Sequence, residues 1–233
     1  MVSSMLRWMI PMVDMALVVC GGFHDPQETH QMVATLTPQI DIQPERVLVF
    51  APTPSSEILS AQALRQWLAP SLAQLVPLDT APTERASAPH PPYPDVLVWA
   101  FSAGCVGAAG LVNYWQRYRG TVRALFMVDG WGVPCPPVVP VHRLSHDWFT
   151  HVTSPGWGAP TAHFYADPGV PHRQLWRSPH QVSGWQVGPP GEASLAVNAA
   201  DVLISWSRYY GQRPLDPYQQ LITHNPKMLP LSN

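Results

Sequence analysis

A serine between small residues is the clearest place for chemistry in this chain. Ser102 lies in the segment AFSAG (100–104), after the apolar run DVLVWAF and before the small-residue stretch CVGAAGLVNYW. A strand that turns directly into a helix strains the residue at the turn and requires small neighbours. The hydroxyl then stands at the amino end of a helix, where backbone N–H groups favour developing negative charge. The pattern predicts Ser102 as a nucleophile, although any close strand–helix turn requires the same small residues.

Six apolar runs separated by helical or turn segments predict an α/β fold with a doubly wound, mostly parallel sheet. The predicted strands are 16–20, 46–50, 95–101, 121–128, 161–167 and 181–187. Helices are expected at 25–36 and 56–68, after Ser102, near 172–176 and at 194–210. Crossovers between parallel strands cover the faces of such a sheet, and ligand sites lie beyond the carboxyl ends of its strands. Functional residues are therefore expected in the segments that follow these strands.

The length of 233 residues suits one domain, which we place at 15–211. Residues 1–14 are interpreted as a disordered or non-native extension and 212–233 as a loosely packed tail. Residues 130–160, rich in proline, tryptophan and histidine, are predicted to form a lid-like excursion over the sheet.

Composition excludes some classes of function. A net charge of −2 and 12% charged residues argue against a nucleic-acid binder, which needs clustered Lys and Arg. Three cysteines without a CxxC pair favour a reducing compartment and no structural metal. The short apolar run at the start is interrupted by Pro11, so no membrane span is expected. We expect a cytoplasmic protein.

The serine turn, in its strand–helix context, resembles that of the α/β-hydrolase family over about residues 15–210. Ala100 takes the first position of the family's GxSxG pattern, and the two leading strands of the family would be missing. The resemblance implies Ser102 as nucleophile and the backbone N–H of Ala103 as one oxyanion donor. The segment Gly21-Gly22-Phe23-His24 matches the place of the second donor, for which we select the N–H of Phe23.

The family pattern also implies an acid after the penultimate strand and a histidine after the last one. Asp167 in FYADPGVPH is the preferred acid, and Asp129 in VDGWG is the second candidate. The loop at 188–194 contains no histidine, so the base has to come from elsewhere. His172, five residues beyond Asp167, is the first choice and His24 the next, followed by two residues of the excursion, His146 and His151. Capping of turns by the aspartates and structural roles for the histidines are the alternatives.

The excursion carries two further features. His142, His146, Asp147 and His151 lie close together, but the five-residue step from His146 to His151 does not match a helical ligand pair, and no metal is predicted. Aromatic residues could line an apolar substrate pocket, form a protein-binding face or pack a lid onto the sheet; they are Trp131, Trp148, Phe149 and Trp157.

Two functional hypotheses follow. The first is a cofactor-independent serine hydrolase of a small carboxylic ester or thioester, with Ser102, His172 and Asp167 as its catalytic residues. The second is a catalytically degenerate member of the fold that binds a protein partner through the aromatic excursion. The absence of a histidine from 188–194 favours the second hypothesis.

Overall fold

Eight strands form one sheet in the computed structural model of the protein, which describes residues 14–52, 55–76, 93–154, 161–188 and 193–212. Their order is β2-β1-β3-β4-β5-β6-β7-β8, with β1 to β6 parallel and the last two pairings antiparallel. The predicted doubly wound, mostly parallel sheet is confirmed, with eight strands where about six were expected. The strands are β1 (Met15–Cys20), β2 (Val47–Phe50), β3 (Asp95–Phe101), β4 (Val122–Val128), β5 (Val141–Ser145), β6 (Ala162–Ala166), β7 (Ser183–Val187) and β8 (Leu195–Asn198).

Helices cover both faces of the sheet because its central strands present apolar side chains on both faces. The helices are α1 (Pro26–Leu36), α2 (Ala61–Ala73), α3 (Gly104–Tyr118), α4 (Trp148–Thr153), α5 (His172–Arg177) and α6 (Ala199–Gln212). On one face, Leu17 and Trp99 pack with the helices α1, α5 and α6; on the other, Val18 and Val98 pack with α2 and α3. None of the described helices combines the length and the apolar character that a bilayer span requires.

Strand β5 lies inside the segment 130–160 that was predicted as an excursion. It pairs with β4 on one side and β6 on the other, so this part of the segment belongs to the sheet. This strand was not predicted because its polar residues interrupt the apolar run that a buried strand usually shows. His142 and Arg143 are buried, but His142 Nε2 lies 2.8 Å from the hydroxyl of Tyr210, and Arg143 donates to the carbonyl of Gly130 at 3.0 Å. These partners offset part of the cost of burying polar groups, while Nδ1 of His142 is buried without a hydrogen-bond partner among the described residues.

The end of the chain also differs from the prediction. Leu195–Asn198 forms β8, antiparallel to β7, so the helix expected at 194–210 begins at Ala199. Asn198 caps it by accepting a hydrogen bond from the backbone N–H of Asp201 at 2.8 Å. The extension at 1–13, most of the proline-rich stretch at 79–94, Trp157 and the tail at 213–233 lie outside the described residues.

Candidate active site

Ser102 stands at a tight turn between β3 and α3. Its φ is +52°, a left-handed conformation that non-glycine residues rarely adopt. The backbone N–H of Ser102 donates to the carbonyl of Val128 at 2.9 Å, which ties the turn to the end of β4. Gly104 allows α3 to begin here, because a Cβ atom at that position would lie 2.2 Å from the carbonyl oxygen of Gly21. The glycine that follows the serine by two positions is therefore required by close packing.

Asp129 occupies a similar turn after β4. Its φ is +53°, and its backbone N–H donates to the carbonyl of Leu144 at 2.8 Å. The side chain is 1% exposed, and its Oδ1 accepts a hydrogen bond from the backbone N–H of His146 at 2.8 Å. Within the described ranges, Ser102 and Asp129 are the two non-glycine residues with positive φ. Such strain concentrates at functional sites.

His172 connects these two side chains. It is the first residue of α5 and follows the last parallel strand, β6. Its Nε2 lies 3.0 Å from Ser102 Oγ, and its Nδ1 lies 2.9 Å from Asp129 Oδ2. Because a buried carboxylate accepts hydrogen bonds, Nδ1 carries the proton and Nε2 is free to accept from the serine hydroxyl.

The imidazole of His172 is held by its surroundings. Phe101, the residue before the serine, stacks on His172 with ring centroids 4.7 Å apart and on Trp176 with centroids 5.1 Å apart. His172 and Trp176 are four residues apart and therefore share one face of α5. Trp176 donates to Thr29 at 3.0 Å, and Arg173 forms an ion pair with Glu28, so α5 is tied to α1.

Of the residues predicted to supply oxyanion donors, Ala103 directly follows the serine and Phe23 belongs to a loop that approaches it. Ala103 is at the amino end of α3, where backbone N–H groups have no partner within the helix. Gly22 approaches the turn so closely that a Cβ atom on it would lie 3.1 Å from Ser102 Cβ. Phe23 follows directly, and its side chain is exposed at the rim.

Other predicted residues have different partners. Asp167, the preferred acid, is exposed and accepts a hydrogen bond from Trp185 Nε1 at 3.0 Å, so Asp129 takes the place beside His172 that was expected of Asp167. His24 Nε2 lies 2.8 Å from Thr29 Oγ1, and burial lowers its pKa. His151 stacks on Tyr165 with centroids 4.7 Å apart.

His146 is a site residue whose place the sequence did not specify. It was considered as a base, but its Nδ1 lies 3.0 Å from Asp129 Oδ2, the same oxygen that His172 contacts. The neighbouring carboxylate raises the pKa of His146. The nearby ring nitrogens and carboxylate of His172, His146 and Asp129 lie within 4.8 Å of one another, a grouping that could hold a metal ion.

A cavity of about 330 Å³ opens beside these residues. Trp131 and Phe149 provide its apolar surface, and Trp131 Nε1 donates to Thr153 at 2.8 Å, which links the turn after β4 to α4. The remaining lining residues are Asp129, His146, Asp147, Thr150 and His172. The cavity therefore joins apolar surface to the polar groups of the site.

The thiols of Cys20 and Cys105 are unsuited to act as nucleophiles. Burial raises the pKa of Cys20 to about 12 and also raises the pKa of Cys105. Both are protonated at neutral pH, and a thiol needs to ionise to act as a nucleophile. Ser102 Oγ, by contrast, lies 3.0 Å from a ring nitrogen of His172.

The described residues thus define an α/β protein with a Ser–His–Asp arrangement at the carboxyl edge of its sheet. No protein-family model and no curated protein matches the chain. Among solved structures, it is similar to a protein from Pectobacterium atrosepticum described as a YdeN-like hydrolase, with 12% sequence identity and a TM-score of 0.38. The match covers 65% of this chain and 77% of that protein. The chemistry of the site is therefore inferred from its own residues.

Proposed function

We propose that the protein is a serine hydrolase of small carboxylic esters or thioesters, with Ser102, His172 and Asp129 as its catalytic residues. The proposal depends on one observation: a continuous line of contacts from Ser102 Oγ to His172 Nε2 at 3.0 Å and from His172 Nδ1 to Asp129 Oδ2 at 2.9 Å. A nucleophile, a base and an acid that orients the base are the parts that serine acyl transfer requires.

Acylation starts when Ser102 Oγ attacks the carbonyl carbon of the substrate and its proton passes to His172 Nε2. The buried carboxylate of Asp129 stabilises the resulting imidazolium through Nδ1–H. The N–H groups of Ala103 and Phe23 hold the negative charge of the tetrahedral intermediate. His172 then returns the proton to the leaving alcohol or thiol, and the acyl group remains on the serine.

Deacylation uses the same groups in reverse. Water enters the space that the leaving group vacated, His172 Nε2 takes its proton, and the hydroxide oxygen attacks the acyl carbon. Collapse of the second tetrahedral intermediate breaks the bond to Ser102 Oγ, which recovers its proton from His172. The products are a carboxylic acid and a free enzyme.

The size of the cavity supports a small substrate. Its volume of about 330 Å³ lies at the lower end of the range for ligand pockets, which is about 300–1,000 Å³. Trp131 and Phe149 offer apolar surface next to His172, so the group held there is a short apolar acyl or alkyl chain.

The alternative of a degenerate, non-catalytic member depended on a missing histidine after the last strand and on the aromatic excursion as a contact surface. That strand was taken to be 181–187, but β7 and β8 are antiparallel additions at the edge of the sheet. The last parallel strand is β6, and His172 follows it. The absence of a histidine from 188–194 therefore no longer favours the binding hypothesis.

Hydrolysis of p-nitrophenyl acetate, butyrate and octanoate, and of a short acyl thioester, tests the function. We expect turnover that is higher for butyrate than for octanoate and falls by about 10³-fold or more in Ser102→Ala. An unchanged melting temperature of this variant would show that it folds. Equal turnover by the folded variant would overturn the proposal.

Two neighbouring aromatic residues test the substrate pocket. Phe149 lines the cavity, whereas Trp148 contacts Tyr165 and His151 instead. Phe149→Ala is expected to raise KM for butyrate more than KM for acetate, and Trp148→Ala to change neither. The same KM changes in both variants would place the substrate elsewhere.

A further inference from the structure

Asp129 contacts two histidines, His146 and His172, whereas a serine hydrolase mechanism needs only one. Asp129 Oδ2 lies 2.9 Å from Nδ1 of His172 and 3.0 Å from Nδ1 of His146. The contact with His172 is a hydrogen bond, but Nδ1 of His146 is buried and not aligned for one. A buried ring nitrogen that faces a carboxylate without such a bond is suited to a metal ion.

The spacing of these atoms is close to that of metal ligands. Nitrogen and oxygen ligands about 2.0–2.1 Å from a tetrahedral zinc ion are roughly 3.3 Å apart. The two distances of 2.9 and 3.0 Å therefore need to open by only a few tenths of an ångström, and the third ligand pair, one ring nitrogen from each histidine, lies within 4.8 Å. The Asp129 carboxylate and Nδ1 of His146 are buried, but the side chains of His172 and His146 are 42% and 25% exposed and border the cavity, from which an ion and a water ligand would approach.

The donor types also favour a particular class of ion. Two imidazole nitrogens and one carboxylate oxygen suit zinc and similar first-row ions, whereas magnesium and calcium prefer oxygen ligands. We propose that Asp129, His146 and His172 bind zinc(II), or a first-row divalent ion of similar chemistry, and that the bound ion switches off the serine chemistry.

The inhibitory effect follows from the two nitrogens of one imidazole ring, and this part of the inference rests on the proposed function. An ion bound at Nδ1 of His172 takes the lone pair there and leaves the ring proton on Nε2. Nε2 then donates toward Ser102 Oγ instead of accepting its proton. The ion also occupies the Asp129 carboxylate, which no longer orients the base. A metal-loaded protein therefore retains its serine but has lost the base.

Zinc binding and serine reactivity can be measured separately on untagged, chelator-treated protein. We expect isothermal titration with zinc chloride to give one tight site per chain, and X-ray absorption to show two imidazole ligands. His146→Gln should weaken binding at least about tenfold because it removes one of three ligands. His151→Gln, which changes a histidine with other partners, should bind as the wild type does.

Labelling by a fluorophosphonate probe then reports on the serine. One equivalent of zinc should stop labelling of the wild type, a chelator should restore it, and His146→Gln should need more zinc for the same effect relative to its own metal-free rate. Absence of a tight site, absorption without two imidazoles, or unchanged affinity in a folded His146→Gln would overturn the metal site. Zinc binding to a protein that is never labelled would support the site and contradict the proposed function.

Discussion

The carboxylate of Asp129 contacts both histidines of the site. One oxygen accepts from the backbone of His146, and the other faces the rings of both His146 and His172. Its burial makes it a strong partner for a protonated imidazole, because little water screens the charges. We infer that Asp129, and not an exposed aspartate nearby, sets the tautomer of His172.

Asp129→Asn tests this role. An amide donates or accepts at the same place, so the ring loses its fixed tautomer while the shape of the turn is kept. We expect kcat to fall by about 10⁴-fold, as expected when a triad acid is replaced by its amide. Steady-state kinetics on p-nitrophenyl butyrate measures it.

Asp167→Asn is the matched control, since Asp167 bonds to Trp185 at the surface. Its kcat should equal that of the wild type. Loss of activity in Asp167→Asn with retention in Asp129→Asn would reverse the assignment.

At the scale of elements, the site depends on how closely α3 and the loop after β1 approach each other. A Cβ atom at Gly104 would collide with backbone atoms of Gly21 and Cys20, which cannot move aside as a flexible side chain could. The positions of the Ser102 hydroxyl and of the N–H of Phe23 are therefore coupled through this contact.

Gly104→Ala is expected to lower the free energy of unfolding by about 1–3 kcal/mol, the usual cost of overpacking. It should also reduce kcat, because α3 and the loop after β1 move apart. Gly211→Ala in helix α6 is the control: its Cβ atom would lie an ordinary 3.4 Å from Cε of Met15 in β1. Urea unfolding and ester hydrolysis measure both effects, and a Gly104→Ala protein with unchanged stability and kcat would contradict them.

The strands and helices differ in how well the sequence predicts them. The apolar strands and the small residues around Ser102 predicted the sheet and the serine turn, because burial requires apolar residues and close packing requires small ones. β5 was not predicted, since its buried His142 and Arg143 bond to partners elsewhere in the chain that the local pattern does not show. The segment 181–187 was taken as the last parallel strand, but it pairs antiparallel, so the place of His172 after the last parallel strand could not be recognised. The choice between Asp129 and Asp167 depends on a side-chain contact that spacing does not encode.

At the scale of the whole molecule, a buried histidine links stability to pH. Burial lowers the pKa of His142 to about 3, against about 6.5 in an unfolded chain. Above pH 6.5 both states hold this ring neutral, so it has no effect on the pH dependence. Between pH 6.5 and 3 the unfolded state binds a proton that the folded state does not, and stability falls as pH falls.

His142→Gln removes this titration and keeps a polar group near the hydroxyl of Tyr210. We expect the wild type to lose about 2 kcal/mol more than the variant between pH 7 and pH 5, at about 1.4 kcal/mol per pH unit below 6.5. Urea unfolding at the two pH values gives both free energies. Equal losses in the two proteins would show that His142 does not remain neutral in the folded state.

The most direct test of a hydrolase built on Ser102 is labelling of the folded protein with a fluorophosphonate, followed by mass spectrometry of the labelled peptide. The probe reacts with a serine that has an active base, whatever the natural substrate is. We predict one label per chain, on Ser102, and none in Ser102→Ala or His172→Ala. A folded, metal-free wild type that takes no label, or takes it on another residue, would contradict the assignment of Ser102, His172 and Asp129 as a catalytic triad.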